Sequence, residues 1–163
     1  MSNRKGKPPG PGSLKEEIRQ RKPFASLEAE VFLNLLRTGD YLQRQTEELL
    51  KPHGLSPSQY NVLRILRGVG RDGLSCREIA ARMLTRDPDI TRLLDRLEKR
   101  GLVRRSRESQ DRRVITVRAS DAGVDALRRL DAPVAEMHRR ILSRLGKRRL
   151  ATLVRLLEAA RAA

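Results

Sequence analysis

The sequence predicts a mainly α-helical protein that carries one small β-hairpin. Apolar residues recur at helical intervals from residue 26 to the C-terminal region, and the pattern becomes that of strands only between residues 102 and 117. Capping residues and glycines separate the helical stretches from one another. The 163 residues suffice for one domain with appendages, and the single cysteine excludes an intramolecular disulfide.

The first long helix is predicted between residues 26 and 50. Its apolar residues share one face, and Lys51-Pro52-His53-Gly54 provides a stop signal. Residues 1–23 contain seven Lys or Arg and few apolar side chains. That composition predicts a disordered basic arm before the helix.

Three shorter helices follow, and each has its own start signal. Ser56-Pro57 places a cap before a proline at the first helical position, and Asp87-Pro88 repeats this pattern. Between them, Ser75-Cys76-Arg77-Glu78 matches a capping box, in which the serine and glutamate side chains each satisfy a backbone N–H. Gly101 ends the last of the three helices.

The helical pattern stops after Gly101. Residues 102–105 and 114–117 have the composition of strands and flank the polar residues 109–112, which predicts a β-hairpin. Ser120-Asp121 then caps a long amphipathic helix, and Gly146 separates it from a final amphipathic helix.

The charge of the chain indicates a polyanionic partner. Its 36 Lys and Arg exceed its 20 Asp and Glu, which gives a formal net charge of +16. A field of this strength attracts polyanions, of which nucleic acid is the commonest. Two Phe and two Tyr are too few for a platform that stacks unpaired bases. Duplex DNA is therefore favoured over single strands.

Three short helices followed by a hairpin is the order of a winged helix-turn-helix, whose recognition helix enters the major groove. The last of the three short helices, which follows Asp87-Pro88, is the predicted recognition helix. One of its faces carries Ile90, Leu93, Leu94 and Leu97. Arg92, Asp95 and Lys99 point nearly opposite, and Pro88, Thr91 and Arg96 flank this outer face. A charged face is usually a solvated surface. Here it precedes an arginine-rich hairpin, which favours DNA contact.

The stretch from Leu55 to Gly123 resembles the MarR family of bacterial transcriptional regulators. The matching segments are LSPSQYNVLRIL, LSCREIAARM, DITRLLDRLEKRGLVRR and QDRRVITV, and the flanking helices are similar too. Asp111-x-Arg113 in the last segment matches the family's Asp-x-Arg wing signature. Asp87 and Asp89 depart from the family pattern. Acids favour a helix N-terminus, and Asp89 there can also accept a hydrogen bond from a cytosine amino group.

The resemblance implies a homodimer that binds a pseudo-palindromic DNA operator, represses transcription and is released by a small aromatic or acidic ligand. The uncovered apolar stripes of the outer helices independently favour a dimer. The chain divides into a basic arm (1–23), an N-terminal dimerisation helix (24–54), a winged helix-turn-helix domain (55–118) and C-terminal dimerisation helices (119–163). No apolar stretch can span a bilayer and no signal peptide is visible, so we expect a cytoplasmic protein without a membrane partner.

Two groups of residues are the predicted sites. The DNA-binding candidates are Thr91, Arg92, Arg96, Pro88 and Lys99 of the recognition helix and Arg107, Asp111, Arg112 and Arg113 of the wing. The resemblance implies that Asp111 orients Arg113 in the minor groove, with Arg107 and Arg112 on the backbone. Tyr60 and His53 are the candidates for the ligand pocket.

An enzyme or a metal sensor would have to use Cys76, His53 and His138, a sparse set without metal-ligand spacing. The sequence therefore predicts no enzymatic activity, no metal and no cofactor. A metal-responsive or redox-responsive regulator and a non-specific architectural DNA-binding protein stay open as alternatives, the latter because of the high charge.

Overall fold

A computed structural model of the chain describes residues 12–85, 89–107 and 115–162, except for the side chain of residue 107. The chain divides into two units between Arg44 and Gln45. The first unit contains helix α1 (Leu14–Glu17) and most of helix α2 (Leu27–Leu50), which continues into the second unit.

Helix α1 lies in the segment for which the sequence predicts a disordered arm, and its composition gives no sign of this helical turn. Ser13 and Glu16 form a capping box, in which the Ser13 amide donates to the Glu16 carboxylate at 3.0 Å. Leu14 is buried, and Glu17 pairs with Arg37 of α2 at 3.5 Å. One buried leucine and a complete cap order a turn that the basic composition obscures. Residues 1–11 of the predicted arm lie outside the described residues.

The second unit holds three short helices and a three-stranded antiparallel sheet. The helices are α3 (Pro57–Val69), α4 (Cys76–Arg82) and α5 (Ile90–Lys99). The strands are β1 (Leu74–Ser75), β2 (Val103–Arg107) and β3 (Ile115–Ala119), in the order β1-β3-β2. The predicted two-stranded hairpin is thus incomplete, because Leu74 pairs with Val117 in a strand too short to show alternation in the sequence.

Helices α6 (Asp121–Leu142) and α7 (Gly146–Arg161) complete the chain. The core joins α3, α4, α5, the sheet and α6, and its fully buried members include Leu63, Leu66, Ile79, Leu94, Leu97, Val103, Val117, Leu127 and Leu130. Helix α7 adds nothing to this core, since none of its residues is buried and Leu153, Val154 and Leu156 are exposed. Among the described residues, no helix is long and apolar enough to cross a membrane.

The start of α6 is tied to the end of α5 through a buried serine. Ser120 Oγ accepts the Gly123 N–H at 3.1 Å and donates to the Gly101 carbonyl at 2.5 Å, while the Ser120 amide donates to the Leu102 carbonyl at 3.1 Å. Gly123 permits this approach, because a Cβ atom there would overlap the Leu102 carbonyl oxygen. The junction places β2 directly after α5 and fixes where this strand begins.

We expect Gly123→Ala to destabilise the protein by about 1–3 kcal/mol, because its methyl group must displace backbone rather than a flexible side chain. Gly68→Ala is the matched control. Gly68 is also helical, but it is exposed and has no described atom within 4 Å of the position that a Cβ would take, so the alanine should stabilise α3 by about 0.5–1 kcal/mol. Urea unfolding of both variants measures the difference, and equal effects would contradict the tight junction.

Candidate nucleic-acid interface

The recognition helix α5 begins with an aspartate cap. Asp89 Oδ1 accepts the Arg92 backbone N–H at 3.1 Å, and the helix starts at Ile90. The start at Asp87-Pro88 that the sequence predicts is therefore displaced, since the carboxylate two residues later makes the capping bond. Pro88, one of the DNA-binding candidates, lies outside the described residues together with Asp87.

The two faces of α5 are as the sequence predicts. Leu93, Leu94 and Leu97 are buried in the core, and Ile90 is half-buried against it. Four candidates for DNA contact are exposed on the rest of the helix: Thr91, Arg92, Arg96 and Lys99. The Arg92 side chain is 78% exposed, so solvent or DNA can reach most of it. This helix thus presents three cations and a hydroxyl to solvent.

Arg105 of strand β2 connects this helix to the sheet. Its guanidinium donates to Asp95 Oδ1 at 2.5 Å, to Glu98 Oε2 at 3.2 Å and to the Thr91 carbonyl at 3.3 Å. The Arg105 amide also donates to Glu98 Oε1 at 3.2 Å. The helical period places Asp95 on the outer face, but in the structure its carboxylate is bound to Arg105 of strand β2. The sequence could not identify this cluster, because the ten-residue separation of Arg105 and Asp95 has no signature without the register of the sheet.

Asn61 of α3 binds the backbone just after α4. Its side chain is only 5% exposed, and Oδ1 accepts the Leu84 N–H at 3.0 Å. No described atom accepts a hydrogen bond from the buried Asn61 Nδ2. The sequence did not identify this residue either, since a polar side chain inside an amphipathic helix carries no sign that it will bind a distant backbone.

The wing is described only at its base. Strands β2 and β3 pair in antiparallel fashion from Val103 opposite Ala119 to Arg107 opposite Ile115. Arg107 is therefore at the end of β2 that leads into the wing. Its side chain, and the whole of Asp111, Arg112 and Arg113, lie outside the described residues.

The two ligand candidates lie in different surroundings. His53 is exposed in a one-turn 3-10 helix (Lys51–His53), while Tyr60 is half-buried on α3. Burial raises the pKa of the Tyr60 phenol above its ordinary value, and Arg67 and Asp131 lie close enough to modify it. Among the described residues, no group of three or more His, Cys, Asp or Glu could hold a metal ion.

Arg67 and Asp131 form a bidentate ion pair between α3 and α6. The two terminal nitrogens of Arg67 each donate to one oxygen of Asp131 at 2.9 Å. These bonds hold the pKa of the Asp131 carboxyl below its ordinary value. The pair joins α3 to the long helix α6, a contact that no sequence pattern predicts.

We expect Asp131→Asn to lower the free energy of unfolding at pH 7 by about 0.5–1 kcal/mol, a small value because both side chains are partly in solvent. A carboxyl whose pKa is depressed by folding contributes stability above its unfolded pKa of about 3.9, and this contribution is lost as pH falls through the lower folded value. The difference between wild type and variant, measured by urea unfolding, should therefore shrink towards zero at acid pH.

Asp125→Asn is the control, because Asp125 lies on the same helix but pairs with exposed Arg128, three residues away on α6 itself. It should change the stability at pH 7 less than Asp131→Asn. If Asp131→Asn and Asp125→Asn had the same free energy of unfolding at each pH, the bridge between α3 and α6 would contribute nothing to stability.

Comparisons with known proteins agree with this geometry. A family model described as MarR family matches residues 53–114. The HTH-type transcriptional repressor MdtR of Bacillus subtilis is 33% identical over 102 residues, which are 63% of this chain and 64% of MdtR. The match therefore spans less than two thirds of MdtR.

Two solved structures cover more of the chain. The MarR transcription factor from Planctomyces limnophilus is 44% identical, with a TM-score of 0.65, and the match covers 84% of this chain and 99% of that one. CouR from Rhodococcus jostii RHA1, solved bound to p-coumaroyl-CoA, is 28% identical, with a TM-score of 0.71 and coverage of 83% and 94%. These likenesses confirm the winged helix-turn-helix fold and the family resemblance of the sequence. The chain belongs to the MarR family of transcriptional regulators, which are transcription factors and not enzymes.

Proposed function

We propose that the protein is a dimeric, sequence-specific repressor that binds duplex DNA through α5 and the wing. The observation that carries the proposal is the outer face of α5, where Arg92 and Arg96 are exposed while the opposite face is locked into the core. An arginine on a recognition helix can donate two parallel hydrogen bonds to O6 and N7 of guanine. The repressor role is supported by the similarity to MdtR, a transcriptional repressor.

Within this proposal, Arg92 and Thr91 read bases, and Arg96 and Lys99 contact phosphates. Asp111 orients Arg113 for the minor groove, and Arg107 and Arg112 assist on the backbone, as the family resemblance implies. The excess of cations supports a strong, salt-dependent contribution from phosphates in addition to base reading. A DNA-bound regulator acts where the chromosome is, so its place is the bacterial cytoplasm.

We further propose release from DNA by a small aromatic or acidic ligand. CouR supports this idea because it was solved with an aromatic acyl-CoA. Tyr60 and His53 stay the candidates, and Tyr60 offers an aromatic ring close to the cationic Arg64 and Arg67. A carboxylate that bound Arg67 would compete with Asp131 for the same guanidinium.

The dimer in this proposal is built from α2, α6 and α7, corresponding to the segments 24–54 and 119–163. Exposed apolar side chains support it. Leu27, Val31, Phe32 and Leu36 line the first part of α2, and Leu153, Val154 and Leu156 lie on α7. Burial of one leucine contributes about 1.5–3 kcal/mol, and each contact counts twice in a symmetric dimer. A second copy of the chain would cover these stripes, and the two α5 helices would meet successive major grooves about 34 Å apart.

We expect the protein to be a dimer at micromolar concentration and Leu153→Glu with Leu156→Glu to convert it to monomers, because four buried charges would replace apolar contacts. Ala151→Glu adds one glutamate per chain on the opposite side of α7 and should leave the dimer intact. Light scattering measures the mass. A wild-type monomer, or a double variant that stays dimeric, would refute this interface.

The experiment that tests DNA reading begins with selection of bound sequences from random duplex DNA. Arg92→Ala should then reduce discrimination at one base pair of each half-site by about 1–3 kcal/mol, because a bidentate contact is lost. Arg96→Ala should weaken all sequences alike and reduce the slope of log affinity against log salt by about 1. Uniform weakening by both variants would show that Arg92 also contacts phosphate and does not read bases.

A further inference from the structure

Asp89 is bound to Arg92 in two ways. Its Oδ1 accepts the Arg92 backbone N–H at 3.1 Å, and its Oδ2 pairs with the Arg92 Nε at 3.0 Å. One carboxylate therefore caps the helix and also fixes the guanidinium of a highly exposed arginine on the recognition face. A capping role alone needs only the first of these bonds.

The ion pair leaves the guanidinium able to read a base. Arginine has five N–H donors, and Asp89 Oδ2 forms its ion pair with the guanidinium at Nε, 3.0 Å away. The four donors on the terminal nitrogens can still supply the two parallel bonds that guanine O6 and N7 accept.

Anchoring has a physical consequence for recognition. An exposed arginine side chain samples many rotamers and loses that freedom when it binds a base. A carboxylate that already restricts the side chain reduces the conformational entropy that is lost on binding. This benefit applies only to DNA sequences that place a guanine within reach of the side chain. Restriction therefore increases discrimination more than it increases general affinity for DNA.

The charge of Asp89 would otherwise be unfavourable beside phosphates. The other two acids of the helix, Asp95 and Glu98, both bind Arg105. Each of these three acids thus contacts an arginine, and of these arginines Arg92 belongs to the outer face whereas Arg105 belongs to the sheet. Asp89 therefore differs from Asp95 and Glu98 in that it contacts an arginine of the outer face in addition to its role in the fold.

We propose that Asp89 is a positioning residue for sequence specificity, which holds the Arg92 guanidinium for base reading. The inference rests on the proposed base-reading role of Arg92. It differs from direct recognition of a cytosine amino group by Asp89, in which the aspartate would act without the arginine.

The test separates the cap from the anchor. Asn and Ser cap helices about as well as Asp, so Asp89→Asn and Asp89→Ser keep an acceptor for the Arg92 amide but lose the charge that holds the guanidinium. Both variants should keep the wild-type melting temperature. Two substitutions are used so that a folding defect in one does not decide the result. Asp125→Asn removes a carboxylate from an i,i+3 aspartate–arginine pair on α6 and controls for the change in net charge.

Affinities are measured at one salt concentration for the selected operator, for operators with single base-pair changes and for unrelated duplex DNA. Asp89→Asn and Asp89→Ser should reduce discrimination at the base pair read by Arg92 about tenfold, within the range that one arginine–guanine contact provides. Affinity for unrelated DNA should stay equal or rise, because a negative charge has been removed. Asp125→Asn should leave discrimination unchanged.

The double variant Asp89→Asn with Arg92→Ala completes a cycle. We expect it to discriminate no worse than Arg92→Ala alone, because an anchor without its arginine has nothing to position. Full discrimination in both Asp89 variants would overturn the inference while leaving base reading by Arg92 intact. If the double variant discriminated less well than Arg92→Ala, base reading would be assigned to Asp89 itself. If Arg92→Ala did not affect discrimination, both the inference and the proposed role of Arg92 would fail.

Discussion

Among the described residues, Arg105 is the side chain from outside the recognition helix that binds this helix at the most points. This arginine is largely enclosed, with 22% of its side chain exposed, and it binds Asp95, Glu98 and the carbonyl of Thr91. Its own strand continues into the wing, so one guanidinium couples the helix to the wing's base. A charged group that is partly removed from water needs hydrogen-bond partners. If one member of the pair were lost, the free-energy cost of the charge left without a partner would exceed what the intact pair contributes to stability. Helix α5 and the base of the wing therefore cannot move independently without breaking this cluster.

Two further side chains bind backbone on either side of the recognition helix in the chain. Asn61 binds the Leu84 amide just after α4, and Ser120 binds the Gly101 carbonyl just after α5. The buried leucines supply the free energy, but apolar contacts are not directional, and the hydrogen bonds choose one orientation among several that would bury similar area. The arginines that face outward can thus be used for binding, because none of them is needed to hold the helix in the core.

The sequence predicts the part of this arrangement that local rules control. The apolar period of α5, the serine caps at Ser56, Ser75 and Ser120 and the helix-to-strand change after Gly101 are all present in the structure. Strand β1 was missed because two residues show no period, and α1 because the basic composition outweighed its capping box.

Arg105 and Asn61 were missed for a different reason. Their partners are set by the register of the sheet and the path of a turn, which a single sequence does not encode locally. The exposure of Thr91, Arg92, Arg96 and Lys99 was predictable, whereas the anchoring of Arg92 depends on a side-chain conformation that no periodicity specifies.

The distribution of charge separates affinity from specificity. A net charge of +16 attracts any duplex, and this attraction does not depend on base sequence. Specificity requires a few donors whose positions are fixed relative to the base edges. In α5 and its cap, all three acids bind arginines, two of them through Arg105 within the fold and one through Arg92 on the surface. The acids thus lower the net attraction slightly and restrict where the remaining positive charge can lie. A strongly basic protein gains from such restriction, because unanchored arginines would strengthen binding to wrong sequences as much as to the right one.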